Sequence, residues 1–483
     1  MHACDAPTLA TSEPENCIKS ACVKWPKFLG KGTYGSVWKI DEENVKKSTR
    51  IFDEKNNNDI ISPTLKEVCF LSTFDHSHIR SLTRVDRQKN LSHIDLIMPD
   101  AGVTLSEWAK KTPRDLRVYG IPYIIIQLLS ALTFLEKHGI SHGDLKPWNI
   151  LISENFHVSI IDWGGVCLIP LFFQDRACTE EFAAPELMES PARNGCPADI
   201  FSLGLIIRYL VYGGYESLDW ITHQCSSRGF VPILKSADMI RQQKGIDLIK
   251  RFQSLLSADP SKRPKASEIM EWKELSTYRR YLRQDEISEN VNYNIIQINP
   301  EDWKRFTNIT LQDRKTTIIW FFEGVSKVYP LQFLPFAIEL MDQYIVRKAP
   351  SDLVKRRLCL ILLACFSISN GLLSNSIYHS DLIFSKDNPS IHDQLREEIF
   401  NILSGMDWNI YFPIWNKDIL HPNLEVMLHV LTDDGMFGAN QDKKLALYEK
   451  LKSEKPTSSL HTPKVESDSN KSEDGKREVE NNA

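Results

Sequence analysis

Two short stretches hold side chains whose types and spacing could do chemistry. SHGDLKPWNIL, residues 141–151, puts His142, Asp144, Lys146 and Asn149 into one apolar-flanked loop. A carboxylate, an amide and an ammonium there supply proton acceptors, metal-binding oxygens and a cation. LGKGTYGSVWKI, residues 29–40, sets Gly30, Gly32 and Gly35 ahead of Val37 in β-like sequence. Missing side chains at such positions let backbone N–H groups approach phosphate oxygens. Taken alone, a glycine-rich turn reads equally as a plain hairpin. Only further motifs, in the right order along the chain, give it weight.

The elements around these stretches fall into distinct regions. Residues 1–22 are polar and Pro-containing and read as a flexible arm. From Trp25 to about residue 100 the patterns are short and β-like, with one helical candidate. That candidate is SPTLKEVCFLSTF, where Leu65, Val68, Leu71 and Phe74 recur at three- and four-residue steps. Helical patterns dominate from 115 to 280 and end with ASEIMEWKEL after the loop DPSKRP. Residues 281–304 are a polar linker, and 305–450 hold successive apolar-periodic segments without β-like alternation, as an all-helical unit would. Residues 451–483 are charged and poor in large apolar side chains, so they cannot offset ordering entropy and are expected to be disordered.

Composition narrows the class. A chain of 483 residues exceeds one ordinary core and predicts modular construction. Hydrophobic content of 42%, charged content of 25% and a net charge of -5 fit a globular protein with no electrostatic footprint for nucleic acid or an anionic membrane. The ten cysteines form no C-x-x-C pair, so neither a zinc site nor a disulfide framework is indicated, and a reducing, intracellular setting is expected. No basic-then-apolar leader opens the chain. YIIIQLL near 123 and LCLILLACF from 358 fall short of the ~20 residues of a membrane span and read as buried helices.

Read in order, the motifs resemble the eukaryotic-type protein kinases, with a cast similar to the cyclin-dependent kinases. They are the glycine-rich loop, a strand lysine in NVKKS, Glu67 in LKEVCFL, SHGDLKPWNIL, IDWGG at 161–165, AAPE at 183–186, ADIFSLG at 198–204 and Arg263 in DPSKRP. The resemblance implies an α+β bilobal kinase fold over 23–280 with ATP between the lobes. It further implies that Asn149 and Asp162 hold Mg²⁺, that Asp144 accepts or orients the substrate hydroxyl, and that Lys146 neutralises the γ-phosphate. Thr179 matches the threonine that touches the catalytic Asp and Lys. Leu29, Gly30, Lys31, Gly32, Thr33, Tyr34, Gly35 and Val37 would line the nucleotide, with Met98 at the back pocket and Ala101 in the hinge. An ordinary core methionine beside a loop is the alternative account of Met98. Glu67 would pair with the strand lysine, and Lys46 and Lys47 both remain open, since alternation lets only one of them face the nucleotide. Asp199 resembles the carboxylate that braces the catalytic loop, and Glu186 with Arg263 resembles a buried ion pair. The form DLKPWN resembles the serine/threonine class, with protein substrates.

Gly143 stands where many kinases carry an Arg that receives an activation-loop phosphate. From Gly164 to Cys178 there is no Ser, Thr or Tyr, so receiver and acceptor are missing together. Something other than phosphorylation is expected to hold that loop. The C-terminal segment resembles a cyclin box, on Arg314, Trp320, Leu334, Ala337, Met341, Asp342, Tyr344, Leu403, Met406, Trp408 and Pro413. The resemblance implies that Arg314 and Asp342 meet and that the helical domain activates the kinase in cis, with an external cyclin as a further partner it allows. Such fusions resemble those of large DNA viruses. The Lys and Glu with which typical cyclins grip a kinase are not evident, and Asp313, Thr316 and Thr317 depart from the usual docking patch. The rival reading is an ATP-binding pseudokinase that acts as a scaffold through its helical domain.

Overall fold

The computed structural model describes residues 25–32, 35–53, 59–88, 92–168, 179–189, 195–212, 251–282, 289–292, 296, 298, 300–303, 305–306, 308–325, 333–348, 350, 353–373 and 389–410. Thr33, Tyr34, Pro413, the arm 1–22, the tail 451–483 and most of the loop after Gly165 lie outside them.

The first region is built on β1 (Lys27–Lys31), β2 (Gly35–Lys39) and β3 (Asn44–Arg50), followed by the short pair β4 (Phe52–Asp53) and β5 (Asp59–Ile60). Helix α1 (Ser62–Thr73), β6 (Phe74–His76), β7 (Arg84–Arg87) and β8 (His93–Pro99) complete it. The main sheet is antiparallel in the order β1-β2-β3-β8-β7. Its register sets Lys47 between Val37 of β2 and Leu96 of β8. The helical pattern read over SPTLKEVCFLSTF becomes α1, with Pro63 in its first turn, where a missing N–H costs nothing. Nearly every α1 side chain is buried, Glu67 and Lys66 included, so the helix must be covered on both faces.

The second region holds β9 (Val103–Thr104), α2 (Leu105–Lys111), α3 (Arg114–Lys137), β10 (Ile140–Ser141), β11 (Ile150–Ile152), β12 (Val158–Ile160), β13 (Cys167–Leu168), α4 (Pro185–Glu189), α5 (Cys196–Tyr212) and α6 (Ala266–Met270). The pattern of ASEIMEWKEL is broken after Met270, where Trp272 turns in against Phe252, ring centroids 5.9 Å apart. Arg263 grips Glu186 with two bonds of 2.6 and 2.7 Å, and its side chain is 0% exposed. A strand-rich lobe followed by a helical lobe agrees with the bilobal layout expected for 23–280.

The third region has α7 (Pro300–Trp303), α8 (Leu311–Val325), α9 (Leu334–Lys348), α10 (Lys355–Leu373) and α11 (Pro389–Gly405). Arg314 on α8 and Asp342 on α9 meet in a two-bonded buried pair at 2.8 and 2.6 Å. α3 and α10 run longer than their apolar stretches suggested, at 24 and 19 residues, long and apolar enough for a bilayer by length and composition. In each, 67% of the apolar window is buried inside the fold, which makes them core helices.

The third region lies directly on α1. Gly371 of α10 sits against Ile60 and Leu65, and its carbonyl accepts the Ser62 hydroxyl. The Thr73 hydroxyl donates to Asn409 at 3.1 Å. Phe400 packs edge-on to Phe52 at 5.6 Å, and Arg87 bonds Glu397 at 2.7 Å. Within the segment read as linker, a strand β14 (Glu289–Val291) pairs with β6, and the Asn292 N–H donates to the Thr73 carbonyl at 2.9 Å. One continuous apolar core runs from Val45 to Ile410 through all three regions.

Candidate active site

Strand alternation separates the two lysines. Lys47 points into the cleft, where its Nζ donates to both Glu67 carboxylate oxygens at 2.8 and 2.6 Å and lies 3.6 Å from Asp162. Lys46 takes the opposite face and pairs with Asp95 at 3.3 Å. Burial by itself would lower the Lys47 ammonium, but Glu67 and Asp162 outweigh it and hold its pKa above the ordinary lysine value. Lys47 therefore stays a cation at the mouth of the cleft.

The loop 141–151 is shaped from beneath by α5. Asp199 in its first turn accepts the N–H groups of His142 at 2.7 Å and Gly143 at 2.9 Å. Gly143 has φ +77°, a left-handed conformation that strains other residues. That gives the glycine a backbone reason, besides the phosphate-receiver argument. Asp144 accepts Lys146 Nζ at 2.6 Å and the Thr179 N–H at 3.1 Å. Lys146 also donates to the Thr179 hydroxyl at 2.7 Å. The Asn149 amide nitrogen donates to the Asp144 carbonyl at 2.9 Å, and the amide oxygen has no partner among the described residues. The Ile161 N–H donates to the Asn149 carbonyl at 2.9 Å, and this draws Asp162 alongside the loop.

Asp162 itself is left-handed at φ 65° and its side chain is 49% exposed. A non-glycine residue held there stores about 1–3 kcal/mol of strain, which the packing around it must sustain. Trp163, fully buried, does that holding: it stacks on Phe70 of α1 at 4.1 Å and meets His142 edge-on at 4.7 Å. The Asp162 carboxylate is thereby aimed at Lys47 and away from the core.

Two glycines leave room above the cleft. A Cβ on Gly30 would meet nothing within 4 Å, and one on Gly32 only the Gly35 carbonyl at 4.0 Å. Gly35 is different, because a Cβ would lie 2.1 Å from the Ser48 carbonyl. Leu29 is half exposed and Lys31 exposed, Val37 is half-buried, and Met98 is buried at 7% exposure where β8 ends. Ala101 comes next in the segment that leads to β9. Sequence reasoning missed a clasp on this segment: Lys39 reaches Asp100 at 2.5 Å. Burial pushes the Asp100 carboxyl up, but Lys39, the Gly102 N–H and Arg80 bring it below the usual carboxylate range. No local motif signals it, since the partners are far apart in the chain.

The structure thus brings Lys47, Glu67 and Asp162 together, and Asp144, Lys146, Asn149 and Thr179 together beside them. It turns Lys46 away. Such a set can hold a polyphosphate and a divalent cation next to a carboxylate that faces a hydroxyl.

Residues 24–273 match the protein kinase domain, more than half of the chain. Over 215 residues the chain is 27% identical to cyclin-dependent kinase-like 1 of Caenorhabditis elegans, covering 42% of this chain and 60% of that protein. It is 29% identical over 190 residues to cyclin-dependent kinase-like 4 of Mus musculus, covering 38% and 55%. With mitogen-activated protein kinase 15 of Xenopus laevis it shares 26% over 338 residues, covering 60% and 57%. The chain spans a little over half the length of these curated relatives. Since the matched stretch encloses every group of the cleft described above, the chain belongs to the protein kinase family.

Proposed function

We propose that the chain is a serine/threonine protein kinase that transfers the γ-phosphoryl group of ATP to protein hydroxyls and is held active in cis by a cyclin-like helical domain. The observation that carries the reading is the closed Lys47–Glu67 pair with Asp162 at 3.6 Å, on a helix whose far side is covered by α10 and Asn409. Phosphoryl transfer is mostly positioning and charge neutralisation, so a preset cation and preset oxygens do most of what the protein can do.

In this reading Lys47 binds phosphate oxygens and Glu67 keeps it in place. Asp144 accepts or orients the substrate hydroxyl, and Lys146, already bonded to Asp144 and Thr179, faces the transferred group. Asn149 and Asp162 fit Mg²⁺ by their chemistry, two oxygen ligands in a cleft that leaves room for phosphates and waters. When bound, the ion neutralises charge that builds on the phosphates. The DLKPWN form supports the serine/threonine class. A scaffold that only binds ATP would use Lys47, Glu67, Asn149 and Asp162, but it has no use for Asp144 and Lys146 bonded together beside them.

The test is transfer of radiolabelled phosphate from ATP by the full chain, with Asp144→Asn as the control. The control should lose about 10²- to 10⁴-fold in turnover. An unchanged rate in the control would assign the signal to a contaminant and remove the reading.

A further inference from the structure

Three residues on one face of α1 meet the cleft. Pro63, Glu67 and Phe70 follow one another at four- and three-residue steps, so they line up along the helix. Glu67 holds Lys47, and Phe70 stacks on Trp163 at 4.1 Å. Pro63 faces the next residue, Gly164, in the single turn Trp163–Gly165 that follows Asp162. A Cβ on Gly164 would lie 3.0 Å from the Pro63 Cβ, 3.2 Å from its carbonyl oxygen and 3.4 Å from its Cα. Carbon atoms at rest sit about 3.5–4.0 Å apart, so a side chain at 164 would crowd Pro63. Gly164 has no positive φ, unlike Gly102, Gly139 and Gly143, so the space beside Pro63 rather than its own backbone asks for a glycine.

Another face of α1 meets the third region. Leu65 lies against Gly371, the Ser62 hydroxyl donates to the Gly371 carbonyl, and the Thr73 hydroxyl donates to Asn409 at 3.1 Å. Ser62 and Pro63 are consecutive, so what α10 fixes at Ser62 lies next to the seat of Gly164. Asp162 needs such a seat, because its own backbone is left-handed at φ 65° and its side chain is 49% exposed. We propose that Pro63 is a positioning residue for Asp162: through Gly164, α1 seats the carboxylate that would hold Mg²⁺, so the helical region sets that group as well as Glu67. The inference rests on the kinase reading above.

The experiment uses the full chain and measures ADP affinity by titration calorimetry, once with excess Mg²⁺ and once with EDTA. The ratio of the two affinities reports how well the metal-holding groups are placed, without any turnover. Gly164→Ala overpacks the seat and should lower that ratio by about 5- to 30-fold, with the affinity in EDTA within about twofold of wild type. Adding Pro63→Gly to that variant removes the closest contact and should recover a large part of the ratio, since the two residues act on one space. Ser62→Ala, which breaks the bond to α10, should lower the ratio by about two- to tenfold. A Gly164→Ala ratio equal to wild type overturns the inference. So does a loss that Pro63→Gly leaves in place, the result expected if Gly164 served its own backbone alone. If Gly164→Ala does not fold, Ser62→Ala decides, and a wild-type ratio in that variant overturns the inference. Mg²⁺-dependent ADP binding in the wild type with these variants unmoved leaves the kinase reading standing and removes only this one, while a wild type without such binding removes both.

Discussion

Two ion pairs in the catalytic region are built from the same chemistry and end in different surroundings. Arg263–Glu186 is sealed: the two side chains are 0% and 5% exposed, and the guanidinium also donates to the Ser257 and Pro197 carbonyls and lies over Phe201. Lys47–Glu67 is open on one side, with the lysine 22% exposed and a third charge, Asp162, at 3.6 Å. A sealed, fully bonded pair can only hold elements together. An open pair with a spare carboxylate can trade partners, and a phosphate is the partner its geometry suits. The difference separates scaffold from site more sharply than either pair's distance does.

The sharpest way to break that comparison is to remove the cation from each. Arg263→Met leaves Glu186 buried without a partner and should cost about 3–5 kcal/mol of stability, seen as a large fall in urea midpoint. Lys47→Met leaves Glu67 as buried as Glu186, but burial and the nearby Asp162 already hold its carboxyl above the usual carboxylate range, so it can take up a proton, and the cost should be smaller, about 1–3 kcal/mol. Its phosphoryl transfer should instead drop by about 10²- to 10³-fold, as when one preorganised donor is lost. Equal stability losses in the two variants would mean that the pairs do the same job.

How far the sequence reaches obeys the same division. That Asp144, Lys146, Asn149 and Asp162 lie together was legible, because the types and order of these motifs are rigid along the chain. The bilobal layout came from the same motifs, and α1 from its apolar spacing. Lys46 and Lys47 could not be told apart, because both faces of β3 carry polar residues and only the Asp95 and Glu67 partners decide. The strand Glu289–Val291 was invisible, since ENV carries no β signal and pairing with β6 makes it a strand.

A second way to sharpen the comparison works on α1 from behind. Gly371 faces Ile60 and Leu65, and its Cβ would already lie 3.2 and 3.3 Å from their side chains. Gly371→Val overpacks that contact, at a cost of about 1–3 kcal/mol. If α10 sets the position of Glu67, kinase activity should fall by roughly 5- to 30-fold, the population shift that one or two kcal/mol produces. A loss of stability with activity per folded molecule unchanged would confine α10 to a structural role.

The mildest change probes the polar end of the same contact. Asn409 bridges two regions, accepting from Thr73 at 3.1 Å and donating to the Asn292 carbonyl. The single Thr73 hydroxyl proton is shared between Asn409 and the Cys69 carbonyl at 2.8 Å, and can turn wholly to the carbonyl, so Asn409→Ala does not leave that hydroxyl bare. The net loss should be about 1 kcal/mol, and activity should fall about fivefold if that energy is spent on the placement of α1. Thr73→Val in the same background tests the route, because two residues that act through one bond lose less together than the sum of their separate losses. Strict additivity would mean that Asn409 holds β14 rather than α1, and the helical region would then touch the catalytic pair only through α10.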